Sequence, residues 1–291
     1  MNNSFDIYEM VNNLIIERLE SGIIPWRMPW KTGIGFPRNL VSKRAYTGFN
    51  FFYLLSLQFS SPWFLTWNQI QDLGGKVVKG SKSSRVVFWK ILEFDDSGSK
   101  TEIPYLQYYN VFNLSQVEGI DKKHLPESSE LEHDFNPISD AERIVEFWCD
   151  APVIRQGYDQ ACYVPLNDEV RMPDPKSFIQ EEYYYSTLFH ELVHATGNYK
   201  RIGRHAQIKD HQSVYQHYSQ EELVAELGAA YFCAMLGIEQ VTIENNAAYI
   251  QNWLKTFRND RRILVTASSQ AQRAVDYIMS HQKVPDTDTT K

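Results

Sequence analysis

The chain begins with hydrophobic residues at helical spacing. Apolar side chains recur every three or four positions over residues 5–21, and Gly22 follows them, so an amphipathic helix is predicted there. A second apolar helix is predicted shortly afterwards, with Asn50 as its candidate N-cap. β-Branched and aromatic residues dominate 86–94 and continue through 104–119, which favours strands. The N-terminal part therefore has the pattern of a small α+β unit.

A polar stretch separates this unit from a more helical second half. Residues 121–139 are acidic and polar and contain two prolines, a composition typical of a linker. The elements predicted beyond it are a helix over 139–149, short strands through 153–173, and helices over 175–196, 220–236 and 242–281. The whole pattern predicts an α+β protein with a small N-terminal domain at 1–122, a linker at 123–138, a second domain at 139–283 and a flexible tail at 284–291.

The composition indicates a folded intracellular protein. Hydrophobic residues make up 43% of the chain and charged residues 22%, which excludes wholesale disorder. No apolar run reaches the ~18 residues of a membrane span. The N-terminus lacks a basic segment followed by an apolar core, so no secretory signal is indicated. Three cysteines are too few for a disulfide framework. We expect a cytoplasmic protein with free thiols and no membrane partner.

The distribution of charge changes this picture. The net charge of −7, taken alone, argues against nucleic acid as a partner. Residues 25–90 nevertheless hold ten basic residues against one acidic residue, so their net charge is +9 and the rest of the chain carries −16. The same segment contains fourteen aromatic residues. Basic side chains interleaved with aromatic rings suit single-stranded nucleic acid, because cations contact the phosphates while unstacked bases lie on the rings.

Ten residues of this basic segment are predicted to contact DNA. They are Trp26, Trp30, Arg38, Lys43, Arg44, Tyr46, Lys76, Lys79, Lys82 and Arg85. The alternative is structural: the aromatic residues within 49–59 would form the buried face of a helix, and the lysines would be ordinary solvated surface.

The sharpest chemical motif is the sequence HELVH at positions 190–194. His190 and His194 are four residues apart, so they lie on one face of a helix and both imidazoles can reach one Zn²⁺. Glu191 is the candidate general base, since a bound Zn²⁺ lowers the pKa of its water toward ~7. Gly197 follows as a helix stop, so the motif is predicted to lie in the final turns of its helix.

The third metal ligand must come from elsewhere. The extended motif HExxHxxGxxH is excluded because its last position is Lys200. Glu222 and Glu226 lie one turn apart on a following helix, and we predict that Glu222 binds the metal while Glu226 supports a ligand histidine or replaces Glu222 as the ligand. The alternative role for Glu222 is a capping box with Ser219. The reserve candidates are His205, His211 and His217.

The strand region before the motif helix carries one further candidate. In metallopeptidases with this motif an edge strand beside the cleft pairs with an extended peptide substrate. Tyr163 lies in such a region and could polarise a substrate carbonyl. A packed aromatic residue is the simpler interpretation, and we favour it.

Taken together, these motifs resemble those of ArdC-type antirestriction proteins. The resemblance extends over nearly the whole chain. Its features are Pro25-Trp26, Pro29-Trp30, Pro37-Arg38-Asn39, Tyr46-Thr47-Gly48-Phe49-Asn50, Leu73-Gly74-Gly75-Lys76, Lys79-Gly80-Ser81-Lys82, Tyr109-Asn110-Val111-Phe112-Asn113, Gln116, Tyr163, Pro165, HELVH at 190–194 and the acidic helix that follows. The resemblance implies a single-stranded-DNA-binding N-terminal domain joined to a zincin-like metallopeptidase domain. Such proteins travel on conjugative plasmids and related mobile elements and are thought to protect incoming DNA from restriction.

Three functions compete on these grounds. The first is a peptidase that holds Zn²⁺, or another divalent ion such as Mn²⁺, and acts on a protein or peptide encountered on DNA. The second is a non-catalytic protector that binds single-stranded DNA and has a structural or silent metal site. An intact Glu191 favours the first, because a structural site needs no base and closes with four protein ligands. A metal-dependent nuclease ranks last, since nucleases gather carboxylates around Mg²⁺.

Overall fold

The computed structural model describes most of the chain. The described residues are 7–22, 24, 36–57, 59–96, 99–125, 137–204, 211–238, 247–260 and 262–283. Two predicted DNA contacts, Trp26 and Trp30, lie outside these ranges, as do His205, most of the predicted linker and the predicted tail.

A four-stranded sheet organises the N-terminal region. The strands of this region are β1 (Arg38–Asn39), β2 (Trp63–Thr66), β3 (Lys76–Val77), β4 (Ser84–Asp96), β5 (Ser99–Asn113) and β6 (Val117–Glu118). The main sheet has the order β1-β2-β5-β4, and only β1 and β2 are parallel. β3 and β6 form a separate antiparallel pair. β4 and β5 form one long hairpin, and both contain the β-branched and aromatic runs that predict strands.

Three helices accompany the sheet. They are α1 (Ile7–Glu20), α2 (Phe49–Ser56) and α3 (Trp67–Asp72). α1 confirms the first predicted helix, and Gly22 follows it with a φ of 75°, a left-handed conformation that favours glycine. The prediction that Asn50 caps α2 was wrong, because Gly48 occupies the N-cap position. Asn50 instead lies in the first turn, where its amide donates to the Val87 carbonyl at 2.6 Å and accepts from the Val87 N–H at 2.7 Å.

The second half contains one small sheet and five helices among the described residues. These elements are α4 (Pro137–Phe147), β7 (Val153–Arg155), β8 (Cys162–Val164), β9 (Glu169–Arg171), α5 (Glu181–Thr196), α6 (His211–Leu236), α7 (Ala247–Asn259) and α8 (Ile263–Ser280). The sheet has the order β7-β9-β8, with β7 parallel and β8 antiparallel to β9. Within these residues, no helix combines the length and apolar character that a membrane span requires.

Two helix starts differ from the prediction. The motif helix α5 begins at Glu181 and not near residue 175, because Pro175–Ser177 form a short 3₁₀ turn that the side chain of Asp174 caps. Helix α6 begins at His211, nine residues earlier than predicted. The first residues of α6 are mostly polar, so the hydrophobic pattern did not predict this part of the helix.

The two halves share one hydrophobic core. The buried cluster includes residues of α1, α2 and β4 together with residues of α5, α6 and α8. The ring of Tyr231 in α6 stacks on Phe51 in α2, with centroids 4.4 Å apart. The Asn12 amide in α1 donates to the carbonyl of Phe257 in α7 at 2.8 Å. The packing is therefore continuous across the predicted linker, and the domain bounds stay a prediction.

Candidate functional site

Helices α5 and α6 pack closely enough to bring their polar side chains together. At Gly228 a Cβ atom would lie 2.6 Å from Cγ2 of Val193, so only glycine allows this approach. The small residues that follow, Ala229 and Ala230, are buried on the same helix.

Two histidines and one glutamate converge where the helices meet. The Nε2 atoms of His190 and His194 are 3.1 Å apart. The Glu222 carboxylate reaches both, with Oε2 3.5 Å from Nε2 of His190 and Oε1 3.6 Å from Nε2 of His194. All three ligand atoms lie within 4.8 Å of one another. Two imidazole nitrogens and a carboxylate oxygen are the donor set that Zn²⁺ and related divalent ions accept, so the residues fit a metal.

Glu226 lies on the other side of His190. Its Oε1 atom is 4.0 Å from Nδ1 of that histidine, whereas Glu222 contacts Nε2. The two glutamates therefore occupy different positions, and Glu222 is the one within the cluster. The capping-box alternative for Glu222 was wrong, because α6 begins at His211 and Ser219 lies inside the helix.

A largely buried ion pair contacts the second ring nitrogen of His194. Glu221 Oε1 lies 3.4 Å from Nδ1 of His194. Arg204 holds the Glu221 carboxylate with two contacts, NH2 to Oε1 at 2.7 Å and Nε to Oε2 at 3.1 Å. The same guanidinium donates to the Val193 carbonyl at 2.8 Å and to Oγ1 of Thr196 at 2.7 Å, and so binds the end of α5. Carboxylates that fix the second nitrogen of a ligand histidine are a recurring part of metal sites.

Glu221 and Arg204 were not among the predicted site residues. The only signal for Glu221 was its position beside Glu222. Helical spacing favours the pair Glu222 and Glu226, which lie one turn apart. Arg204 gave no signal, because it lies in a connection whose path depends on the packing of α5 against α6.

Several glutamate carboxylates lie in or beside the cluster, and two of them are buried. Glu191 is 4% exposed and Glu226 is 5% exposed. Burial alone would lower the pKa of His194, but its hydrogen bonds to Glu221 and Glu222 outweigh that effect and raise the pKa to about 10. Burial would raise the pKa of Glu222, but its contacts with His190 and His194 hold it well below the usual range. The carboxylates thus favour positive charge at the centre of the cluster.

Of the remaining candidates, His205 lies outside the described residues, and Tyr163 is not part of the cluster found among them. His211 and His217 lie in the first turns of α6. Tyr163 in β8 has fixed partners, since its hydroxyl donates to Oδ1 of Asp168 at 3.0 Å and accepts from Nδ2 of Asn198 at 2.7 Å. These bonds connect the outer strand β8 to the end of the motif helix.

The predicted DNA-contacting residues have different surroundings. Lys43 and Arg38 lie over the ring of Trp63, at 4.6 and 5.4 Å from its centroid. Arg85 lies 5.6 Å from the ring centroid of Tyr108. The side chains that are exposed to solvent are Lys43, Arg44, Lys76, Lys79 and Lys82.

Tyr46 differs from the other predicted contacts because it is only 7% exposed. Its ring packs edge-to-face against Phe64, with centroids 6.1 Å apart. Burial raises the pKa of its hydroxyl despite a hydrogen bond with Asn39. Its ring therefore packs within the core.

Both halves of the chain match described families. Residues 5–112 match the N-terminal domain of anti-restriction factor ArdC. Residues 140–270 match the zincin-like metallopeptidase family. The two matches lie on either side of the predicted linker and agree with the predicted fold class.

Individual relatives agree with these matches. The chain is 32% identical to the protein y4eC of Sinorhizobium fredii, over 95% of this chain and 92% of that protein. It is 28% identical to the DNA primase TraC of Escherichia coli, over 95% of this chain but only 27% of that longer protein.

Solved structures agree as well. The chain is similar to crystal structures of the antirestriction protein ArdC from plasmid R388, one metal-free and one Mn(II)-bound. Both comparisons give a TM-score of 0.76 at 32% identity and cover 95% of this chain and 98% of the other. This chain belongs to the family of ArdC-type antirestriction proteins, with an ArdC-like N-terminal region and a zincin-like metallopeptidase domain.

Proposed function

We propose that this protein is an antirestriction protein of a mobile genetic element that binds single-stranded DNA and carries a divalent-metal peptidase site. The observation that carries the peptidase part is the convergence of His190, His194 and Glu222 within 4.8 Å, beside a buried Glu191. The DNA-binding part is supported by the +9 charge of residues 25–90 and by the match to the ArdC N-terminal domain.

The metal would be held by His190, His194 and Glu222. Zn²⁺ is the ion that this donor set most commonly binds, and the Mn(II)-bound ArdC of plasmid R388 makes Mn²⁺ the second candidate. When bound, the ion would acidify water and polarise a peptide carbonyl. Glu221 orients the ring of His194. Arg204 holds the Glu221 carboxylate in the position from which it contacts the histidine.

The chain's own residues supply the rest of the peptidase site. Glu191 follows a metal-binding histidine and is the general base that accepts the proton of the attacking water. β8 is one of the two outer strands of the sheet β7-β9-β8, and its Tyr163 is bonded to Asn198 just after the motif helix. An extended peptide could therefore add to β8 beside the cluster.

A substitution of Glu191 tests the peptidase part. Glu191→Gln keeps the size of the side chain and removes the base, so we expect retained metal content and loss of antirestriction activity. Metal content is measured by elemental analysis, and activity by the survival of conjugated DNA in a restricting host. His190→Ala serves as the control that loses the metal. Retained antirestriction activity in Glu191→Gln would favour the non-catalytic protector.

Salt dependence tests the DNA-binding part. If the exposed cations Lys76, Lys79 and Lys82 contact phosphates, the affinity for a single-stranded oligonucleotide falls steeply between low and moderate salt. Fluorescence anisotropy at several salt concentrations, with a duplex of the same sequence as comparison, measures this. If the affinity does not change with salt concentration, these lysines do not contact phosphates.

A further inference from the structure

A cavity of about 660 Å³ lies between the N-terminal sheet and helix α8. The histidines and glutamates of the candidate metal centre do not line it. Its volume falls within the ~300–1,000 Å³ that is typical of small-molecule sites. One wall is the face of β4 and β5, the opposite wall is α8, and the loop before α2 closes a third side. Both halves of the chain therefore build it.

Two aromatic rings line this cavity and remain open to solvent. Tyr109 pairs with Val86 across the hairpin, and Phe88 lies two residues beyond Val86, so both rings are on one face of the sheet. Phe88 is 44% exposed and Tyr109 is 43% exposed, with centroids 5.6 Å apart. Tyr108, the next residue, is also exposed but lies on the opposite face. Exposed rings on a sheet face are a common platform for unstacked bases.

The charges of the cavity are all positive. Among the described residues, Arg44 and Arg273 are the only charged ones that line it, and both are exposed. Neither guanidinium pairs with a carboxylate among the residues that the structure describes. An anion with a planar apolar part therefore suits this cavity better than a cation or a neutral apolar ligand.

The polar groups of the walls are held in place. Asn39 and Gln69 bond each other through both amides, at 2.9 and 3.1 Å. Gln272 on α8 accepts from the Gly48 N–H at 3.3 Å and donates to Asp276 at 2.8 Å. The bonds between Asn39 and Gln69 fix two amides beside the cavity. The bonds of Gln272 fix the loop before α2 against α8. Amides held in this way offer hydrogen bonds to a base without further ordering.

We propose that this cavity binds an unstacked base of single-stranded DNA. Phe88 and Tyr109 contact the base, and Arg44 and Arg273 contact the flanking phosphates. The inference rests on the DNA-binding part of the proposed function and extends it, since helix α8 becomes part of the DNA site. Arg273 and Gln272 were not among the predicted DNA contacts, because their positions in the C-terminal helices give no signal in the sequence.

A matched set of variants tests the cavity. Fluorescence anisotropy with a labelled oligo-dT measures affinity for the unmodified 291-residue chain and for four variants, with circular dichroism to check that each one folds. Tyr109→Ala should weaken binding about tenfold, whereas Tyr108→Ala, on the opposite face of the same strand, should change it less than twofold. Arg273→Gln should lower the slope of log affinity against log salt by about one, whereas Arg143→Gln, outside the cavity, should leave it unchanged.

Crosslinking gives a measurement that does not depend on the variants. An oligonucleotide with one 5-iodouracil is irradiated with the unmodified protein, and the adduct is mapped by mass spectrometry to a peptide containing Phe88 or Tyr109. Adducts confined to other peptides, or equal losses of affinity in Tyr108→Ala and Tyr109→Ala, overturn the cavity site while DNA binding stands. If the unmodified protein binds no oligo-dT at any salt concentration, the DNA-binding proposal falls as well.

Discussion

Gly228 sets the distance between the two helices that carry the candidate metal cluster. We expect Gly228→Ala to lower the melting temperature, because the new methyl would overlap Val193 at 2.6 Å. Such overpacking costs about 1–3 kcal/mol, which exceeds the gain in helix propensity of up to about 1 kcal/mol. Thermal unfolding measures the effect. The double variant with Val193→Ala removes the overlap, so a melting temperature that stays low in it would contradict this explanation.

Arg204 is buried because it neutralises Glu221 and binds the end of α5. Arg204→Gln would leave the carboxylate buried without its cation, so we expect the free energy of unfolding to fall by about 3 kcal/mol or more. Urea denaturation measures it. Adding Glu221→Gln removes the stranded charge and should restore part of the loss. If the double variant is no more stable than the single one, the ion pair is not the reason for the burial of Arg204.

At the scale of elements, a salt bridge joins the β8–β9 turn to the end of α5. Asp168 accepts from NH1 and NH2 of Arg201 at 2.7 and 3.1 Å. Burial alone would raise the pKa of Asp168, but the hydrogen bonds from Arg201 and Tyr163 outweigh it and hold the pKa below its usual value. A lowered folded-state pKa means that the stabilisation is present above the unfolded-state value and is lost as the pH falls through the folded-state value.

We therefore expect Asp168→Asn to flatten the pH dependence of stability. Asn also tolerates the left-handed backbone at this position, where φ is 51°, so the variant should fold. The measurement is urea denaturation of both proteins at pH 6 and near pH 3. The stability gap between them should narrow at the lower pH, and a constant gap would show that the charge of Asp168 is not involved.

The order and type of the elements were largely predictable, but several boundaries were not. Hydrophobic spacing identified α1 and the HELVH helix, because each buries a regular apolar face. It missed the first two turns of α6, which begin with polar residues. It placed Asn50 at a helix cap, a role that local sequence favours, whereas its actual partner is the backbone of Val87 on a distant strand. Partners distant in sequence leave no local pattern.

The lack of a local pattern for distant partners also explains which residues of the candidate site could be predicted. The two histidines are fixed relative to each other by one helical turn, so their proximity followed from the sequence. Glu222 required the packing of a second helix, and sequence spacing could only rank it against Glu226. Glu221 and Arg204 depend on a third segment, the connection between α5 and α6, and they became visible only in the structure.

At the scale of the whole molecule, the shared core predicts that the halves depend on each other. A fragment ending at residue 125 would expose Phe51, which stacks on Tyr231 in the intact protein, and the α1 face that contacts α7. We expect the fragments 1–125 and 137–291 each to unfold at a lower temperature than the full chain, or to aggregate. Calorimetry of each fragment measures this. A fragment with a melting temperature equal to that of the full chain would contradict it.

Helix α6 carries both Glu222, in the candidate metal centre, and Tyr231, whose hydroxyl donates to the carbonyl of Gly48 beside the cavity. They are nine positions apart on the helix, a span of about 14 Å along its axis. A shift of this helix would move both Glu222 and Tyr231. Any coupling between them must be reciprocal, so a metal that alters DNA affinity would have its own affinity altered by DNA by the same factor. Helix α6 is thus one rigid element shared by the candidate metal centre and the cavity.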